Sequence, residues 1–320
     1  MATADQIRSL VKAYNMHDDE KFKTVVLQIA AHEAKLGHGS FAQELKKEAN
    51  AVGKNGNVHF LKITNLNDML QFTMPSVELS ELIASDTVTT KINRILIEYK
   101  NKNKLYSSGL SNRRKILLEG PPGTGKTMSA SIIASELRLP LLTVQVDKLV
   151  TKFMGETSAR LRQVFDSMAT TVGVYLFDEF DAIGADRSMD NEVGEMRRIL
   201  NSFLQFIETD ISDSIIIAAT NNQKMLDKAL FRRFEDVIHY ELPDEHQIKR
   251  LFDYRLNNHI RGAVCNNEVI DAAFGLSHAE LTLVADDAIK ESILYGNKIT
   301  SAKLISLLNE RHQNYSGKEA

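Results

Sequence analysis

The residues most able to do chemistry stand in one short run. Gly120-Pro121-Pro122-Gly123-Thr124-Gly125-Lys126-Thr127 fits the pattern G-x-x-x-x-G-K-[ST]. Its glycines let backbone N–H groups turn inward around phosphate oxygens, and the start of a following helix adds a positive dipole end. Lys126 is expected to reach the β- and γ-phosphates and Thr127 to ligate Mg²⁺. With Met128 after it, this run is the expected nucleotide-contacting stretch. A second constellation closes the apolar run Val174-Tyr175-Leu176-Phe177, where Asp178 and Glu179 stand side by side. One carboxylate can hold the metal's hydration shell, which makes Asp178 a second metal-site residue. Its neighbour Glu179 can polarise an attacking water as general base. An acid pair after a strand is a weak signal alone, since many strands end in a charged turn. Beside a phosphate loop it points to phosphoryl transfer to water. A kinase is the competing assignment, but no H-R-D or D-F-G set accompanies the loop.

These groups need elements to hold them. KILLEG (115–120), LLTVQV (141–146), VYLFDE (174–179) and SIIIAAT (214–220) read as strands, and helical patterns separate them. Such alternation predicts an α/β fold, a parallel sheet with helices on both faces. Val88, Ile92, Ile95, Leu96 and Tyr99 mark a helix before the phosphate loop, and Met128 to Leu137 one after it. From about 244 the strands stop and helical patterns run to about 310. Near the start, Ile7, Leu10, Val11 and Tyr14, then Phe22, Val25, Val26, Ile29 and Ala30, form apolar helical stripes. Gly37 and Gly39 would end the second helix, and Ser40 with Gln43 could cap a third. The expected organisation is a helical N-terminal adaptor at 1–50, a linker at 51–76, a core at 77–243, a helical lid at 244–313 and a tail at 314–320. The first helices could equally pack on the core.

Composition narrows the classes. The 320 residues carry 39 Lys and Arg against 42 Asp and Glu, a net charge of −3, with 43% hydrophobic residues. That balance gives ample material for a core and argues against a nucleic-acid coat. One cysteine, Cys265, excludes an intramolecular disulfide and a multi-thiolate metal site. No apolar run approaches the ~20 residues that span a bilayer, and MATADQIRSL lacks the apolar stretch of a signal peptide. The expectation is a cytoplasmic protein with no membrane partner.

Beyond the two phosphate-site motifs, residues 77–310 resemble the AAA ATPases. FDAIGADR (180–187) is similar to the stretch after the family's acid pair. Asn221, ending IIIAATN, matches the polar sensor near the γ-phosphate and lytic water. Ala229-Leu230-Phe231-Arg232-Arg233-Phe234-Glu235 resembles the arginine-finger segment, which implies that Arg232 and Arg233 reach into a neighbouring subunit's site. A surface role is the alternative for both. Thr151-Lys152-Phe153-Met154-Gly155-Glu156-Thr157 resembles the first pore loop of remodelling members. That implies a protein substrate gripped by Lys152, Phe153 and Met154; burial of Phe153 and Met154 in the core is the alternative. Residues 184–198 could hold a second pore loop. Gly275-Leu276-Ser277-His278-Ala279-Glu280-Leu281 is similar to the family's G-[FY]-S-G-A-D-[LI], with His278 in place of glycine and Glu280 in place of aspartate. No arginine stands at the start of that lid helix.

The resemblance implies an ATP- and Mg²⁺-dependent hydrolase acting as a homo-oligomer, a hexameric ring that remodels or unfolds proteins. The string GVYLFDEFDAIG (173–184) and the helical start also resemble standalone bacterial ATPases encoded beside a subtilisin-like serine protease, in plasmid maintenance or phage defence. That implies such a protease as partner. The rival function is a nucleic-acid-acting ATPase of the clamp-loader or initiator kind, for which NKNK (101–104) and NRRK (112–115) could speak.

Overall fold

The computed structural model describes residues 19–35, 38, 43, 45, 69–149, 156–180, 190–221, 231–257, 259 and 264–316. The chain divides into two compact units, Met1–Asn67 and Asp68–Ala320. The first contains helix α1 (Asp19–Lys35). Val25, Val26, Ile29 and Ala30 are buried on it, as one amphipathic face requires. The stripe at 7–14 and the stop at Gly37 and Gly39 lie outside the described residues.

The second unit begins with β1 (Leu70–Thr73), then α2 (Asp86–Lys100), α3 (Lys102–Ser107), β2 (Lys115–Glu119) and α4 (Lys126–Leu137). Next come β3 (Leu141–Val144), α5 (Val146–Leu149), α6 (Glu156–Thr170), β4 (Val174–Phe177) and α7 (Asp190–Thr209). β5 (Ile215–Thr220) and β6 (Asp236–His239) complete a sheet of order β1-β3-β4-β5-β2-β6. The four expected apolar runs are β2 to β5, and each contact from β3 to β6 is parallel. Every residue of β2, β4 and β5 is buried, because helices cover both faces of the sheet.

Two strands depart from the expectation. β1 falls within 51–76, expected as linker, and pairs antiparallel with β3, Leu70 opposite Val144 and Thr73 opposite Leu141. It precedes the β-α repeat, so no crossover helix dictates its direction, and it covers the open edge of β3. β6 is four residues with one buried position, too short and too charged to stand out as an apolar run.

One face of the sheet packs on α2 and α4. Val88, Ile92, Ile95 and Leu96 meet Ile116, Leu118, Ile132, Ile133, Leu176 and Ile217 there. Full burial of each such side chain contributes about 1.5–3 kcal/mol. Ser85 caps α2, its side chain accepting from the Val88 N–H. On the other side an aromatic cluster joins β4 to α6 and α7. The Phe177 ring lies 4.9 Å from Phe203, edge to face, and 6.0 Å from Phe165.

The lid consists of α8 (Glu245–Leu256), α9 (Asn267–Ala273), α10 (His278–Tyr295) and α11 (Ser301–Ser316). It has its own core, in which Phe252, Leu256, Val269, Leu281, Val284, Leu304 and Leu308 are buried together. Asp244 and Asn266 cap α8 and α9 through side-chain acceptors. Among the described residues no helix is long and apolar enough to cross a membrane.

Candidate nucleotide site

Parallel order brings three loops together. β2, β5 and β4 are consecutive neighbours, so their C-terminal ends deliver Gly120, Asn221 and Asp178 to one edge of the sheet. The loop after β2 is shaped by its glycines. Gly120 has φ +147°, and a Cβ there would stand 2.2 Å from the Tyr240 carbonyl oxygen. Gly123 and Gly125 lie at φ +72° and +101°, the left-handed region that glycine adopts freely. Thr124 is buried, and its hydroxyl donates to the Pro121 carbonyl at 2.8 Å, which folds the loop on itself. Lys126 is buried too, its ammonium donating to the Gly120 and Pro121 carbonyls at 2.8 Å each. The Tyr240 hydroxyl donates to Ser129 on α4 at 2.7 Å, tying the end of β6 to the helix that follows the loop. Burial pushes that phenol well above its ordinary pKa, so it stays protonated as the donor.

The acid pair meets this loop directly. Thr127 Oγ1 donates to Asp178 Oδ2 at 2.7 Å, and Asp178 Oδ1 accepts the Glu179 N–H at 2.9 Å. Glu179 itself has φ +49°, a left-handed conformation that costs a side-chain-bearing residue about 1–2 kcal/mol. The flanking aromatics hold that turn. Phe177 and Phe180 are fully buried on either side of the acids, and the Phe180 ring lies 4.5 Å from Phe203. Glu179 is thereby left exposed beside a half-buried Asp178.

A cleft of about 410 Å³ runs between loop and lid. Of the expected nucleotide-contacting residues, Pro122, Gly123, Gly125, Lys126, Thr127 and Met128 line it, with Asp178, Glu179 and Asn221 opposite. Gly120, Pro121 and Thr124 do not line the cleft and act on the loop's shape. The donor set suits a nucleotide: backbone turned by left-handed glycines, one buried ammonium, and a hydroxyl–carboxylate pair of the hard-oxygen type that Mg²⁺ takes.

The lid contributes His278, Ala279 and Thr282 to the wall. The Ala279 N–H donates to the Gly123 carbonyl at 3.0 Å, and Ser277 Oγ packs where a Cβ on Gly123 would stand. Glu280 has a structural reason for its identity. Its carboxylate reaches back to the Ser277 N–H at 2.7 Å while Ser277 accepts from the Glu280 N–H, a capping box at the start of α10. Sequence reasoning had no signal for Tyr240, an unremarkable residue until β6 brings it over Ser129.

The arginines stand elsewhere. Arg232 and Arg233 are exposed and outside the cleft wall, and Arg233 is ion-paired with Glu208 at the end of α7. Lys152, Phe153 and Met154 lie outside the described residues. Of the stretch expected to hold a second pore loop, 190–198 belong to helix α7 and 184–189 are outside the described residues.

Comparison with known proteins agrees with this architecture. Residues 116–242 match the family described as ATPase family associated with various cellular activities (AAA). An uncharacterized AAA family ATPase, y4kL of Sinorhizobium fredii, is 33% identical over 305 residues, covering 93% of this chain and 92% of that protein. The ATP-dependent zinc metalloprotease FtsH of Parabacteroides distasonis is 33% identical over 222 residues, 65% of this chain and 32% of the relative. Against that longer protein the chain spans about a third of the length. Among solved structures, the FIGL-1 AAA domain superposes with a TM-score of 0.61 over 78% of this chain and 88% of that one, at 19% identity, a likeness of fold.

Proposed function

Since the chain belongs to the AAA family of ATPases and hydrolyses ATP, we propose that it works as a ring of identical subunits, a hexamer, that remodels or unfolds protein substrates. The observation that carries the hydrolytic part of this reading is the Thr127–Asp178 hydrogen bond of 2.7 Å at the mouth of the phosphate loop, with Glu179 exposed beside it; the ring and the protein substrate rest on the resemblance of the arginine and pore-loop segments. Lys126 and the amides after Gly123 bind the phosphates. Thr127 and Asp178 hold Mg²⁺, which when bound offsets charge on the phosphate oxygens. Glu179 takes the proton of the attacking water, and Asn221 orients that water. Arg232 and Arg233, outside their own cleft, act on the site of the adjacent subunit, where a guanidinium fork stabilises charge on the γ-phosphoryl group. Phe153, with Lys152 and Met154, grips an extended polypeptide through apolar area, which needs no particular sequence. The similarity to a protein named as a protease of the ATP-dependent kind supports a role beside proteolysis. The protease is then a separate cytoplasmic partner of the subtilisin-like serine class, the class that the GVYLFDEFDAIG resemblance implies.

Two variants test the reading together. Glu179→Gln keeps shape and hydrogen bonding, so it should bind ATP and assemble while hydrolysing about 10²–10⁴-fold more slowly. Phe153→Ala should keep assembly and basal hydrolysis while losing unfolding of a fluorescent substrate protein. Near-normal turnover in the first, or full unfolding by the second, rejects the corresponding assignment.

A further inference from the structure

Arg232 and Arg233 stand on a turn that is fastened to the sheet by the residue after it. The Phe234 N–H donates to the Phe231 carbonyl at 3.4 Å, closing four residues with the two exposed arginines at the central positions. Phe234 is buried and anchors the turn. Glu235 follows at once. Its Oε2 accepts the Arg114 N–H at 2.6 Å and the Lys115 N–H at 3.1 Å, while its own N–H donates to the Lys115 carbonyl at 2.8 Å. Asp236 comes next and accepts from Lys91 Nζ of α2 at 2.9 Å. Glu235 is exposed, so its carboxylate holds no part of the core. What it fixes is the direction in which the chain leaves the turn.

This fastening lies at the start of β2, whereas the phosphate loop follows its end. Five residues of strand at ~3.3 Å each put about 17 Å between them, too far for Glu235 to touch its own subunit's phosphates. We propose that Glu235 is a positioning residue for hydrolysis: by clamping the Arg114 and Lys115 amides it sets where Arg232 and Arg233 stand, and so how they meet the γ-phosphate in the adjacent subunit. This inference rests on the reading that the arginines act on a neighbour. A catalytic group displaced by about 1 Å costs about 10²-fold in rate, so losing the clamp costs less than losing an arginine.

Hydrolysis and ATP binding by the full chain decide it. Glu235→Ala should bind ATP and assemble as the unaltered chain does, with kcat lowered about 10²-fold. Glu235→Gln should restore turnover to within about 3-fold, because one carboxamide oxygen has lone pairs for both amides. Mixed with Lys126→Ala subunits, Glu235→Ala should recover part of the activity; mixed with Arg233→Ala it should recover none, since both then fail on the same side of the interface. Unchanged turnover in Glu235→Ala, weakened ATP binding, lost assembly, or an equal defect in Glu235→Gln overturns the inference. Glu235→Leu, closer in volume, replaces an alanine variant that does not fold, and failure of both to fold makes Glu235 a folding contact and overturns it too. Recovery from Arg233→Ala with Lys126→Ala, but not from Glu235→Ala with Lys126→Ala, rejects the clamp alone. Recovery from neither removes the shared site and the clamp with it.

Discussion

At the scale of single residues, the site depends on side chains whose alternatives have been used up. Asp178 spends one oxygen on Thr127 and the other on the Glu179 N–H, so its carboxylate has a single orientation. Glu179 is held in a left-handed conformation between two buried phenylalanines, a strain that the packing of Phe177 and Phe180 offsets. His278 gives a pH signature. Its ordinary pKa of 6.5 is lowered to about 4 by burial, with Asp244 opposing the shift. Between those values the unfolded chain binds more protons than the native one, so stability rises with pH through the window and is level above it. Between pH 7.5 and 5 the linked loss is about 2 kcal/mol at most, less where the cleft admits water. Urea denaturation at both pH values should show the acid loss shrinking in His278→Leu. An equal loss in both proteins would mean that the imidazole titrates as if in water.

At the scale of elements, the phosphate loop is a joint between β2, β6 and α4. The Tyr240 N–H donates to the Glu119 carbonyl at 2.7 Å, and Gly120 follows at once with no room for a side chain. Gly120→Ala would drive a methyl group into the Tyr240 carbonyl, which backbone alone can relieve. The expected result is a loss of about 1–3 kcal/mol in denaturation and weakened nucleotide binding, as β6 is pushed from β2. Gly109, also left-handed but with open space around it, makes the control. Gly109→Ala pays only for its conformation and should leave nucleotide affinity unchanged. Equal effects of the two substitutions on affinity would dismiss the close approach at Gly120 as a determinant.

At the scale of the whole molecule, the proposed action of Arg232 and Arg233 on a neighbouring copy is open to test, since both lie outside the cleft lined by Lys126, Thr127, Asp178 and Asn221. Arg232→Ala or Arg233→Ala should spare nucleotide binding by an isolated subunit and lower hydrolysis by up to about 10³–10⁵-fold. Mixing Arg233→Ala with Lys126→Ala subunits should recover part of the activity, because one type of interface then joins an intact loop to an intact arginine. Verified mixed rings without recovery would return Arg233 to its ion pair with Glu208 as a local structural contact.

The sequence by itself determined the phosphate loop, the acid pair and the sheet that carries them. Each is a local pattern: fixed residue spacing in the loop, and apolar runs long enough to be buried on both faces. It also marked His278 and Glu280 as departures in the lid. Tertiary structure decided their contacts, because a capping box needs the Ser277 backbone and the His278 Nε2 hydrogen bond needs Gln247 on α8. β1 and β6 were illegible for a related reason. Four-residue strands with one buried position each carry almost no periodic signal, and the stability of their pairing lies in the neighbours β3 and β2. The convergence of Thr127 and Asp178, 51 positions apart, follows from strand order, which no local pattern encodes.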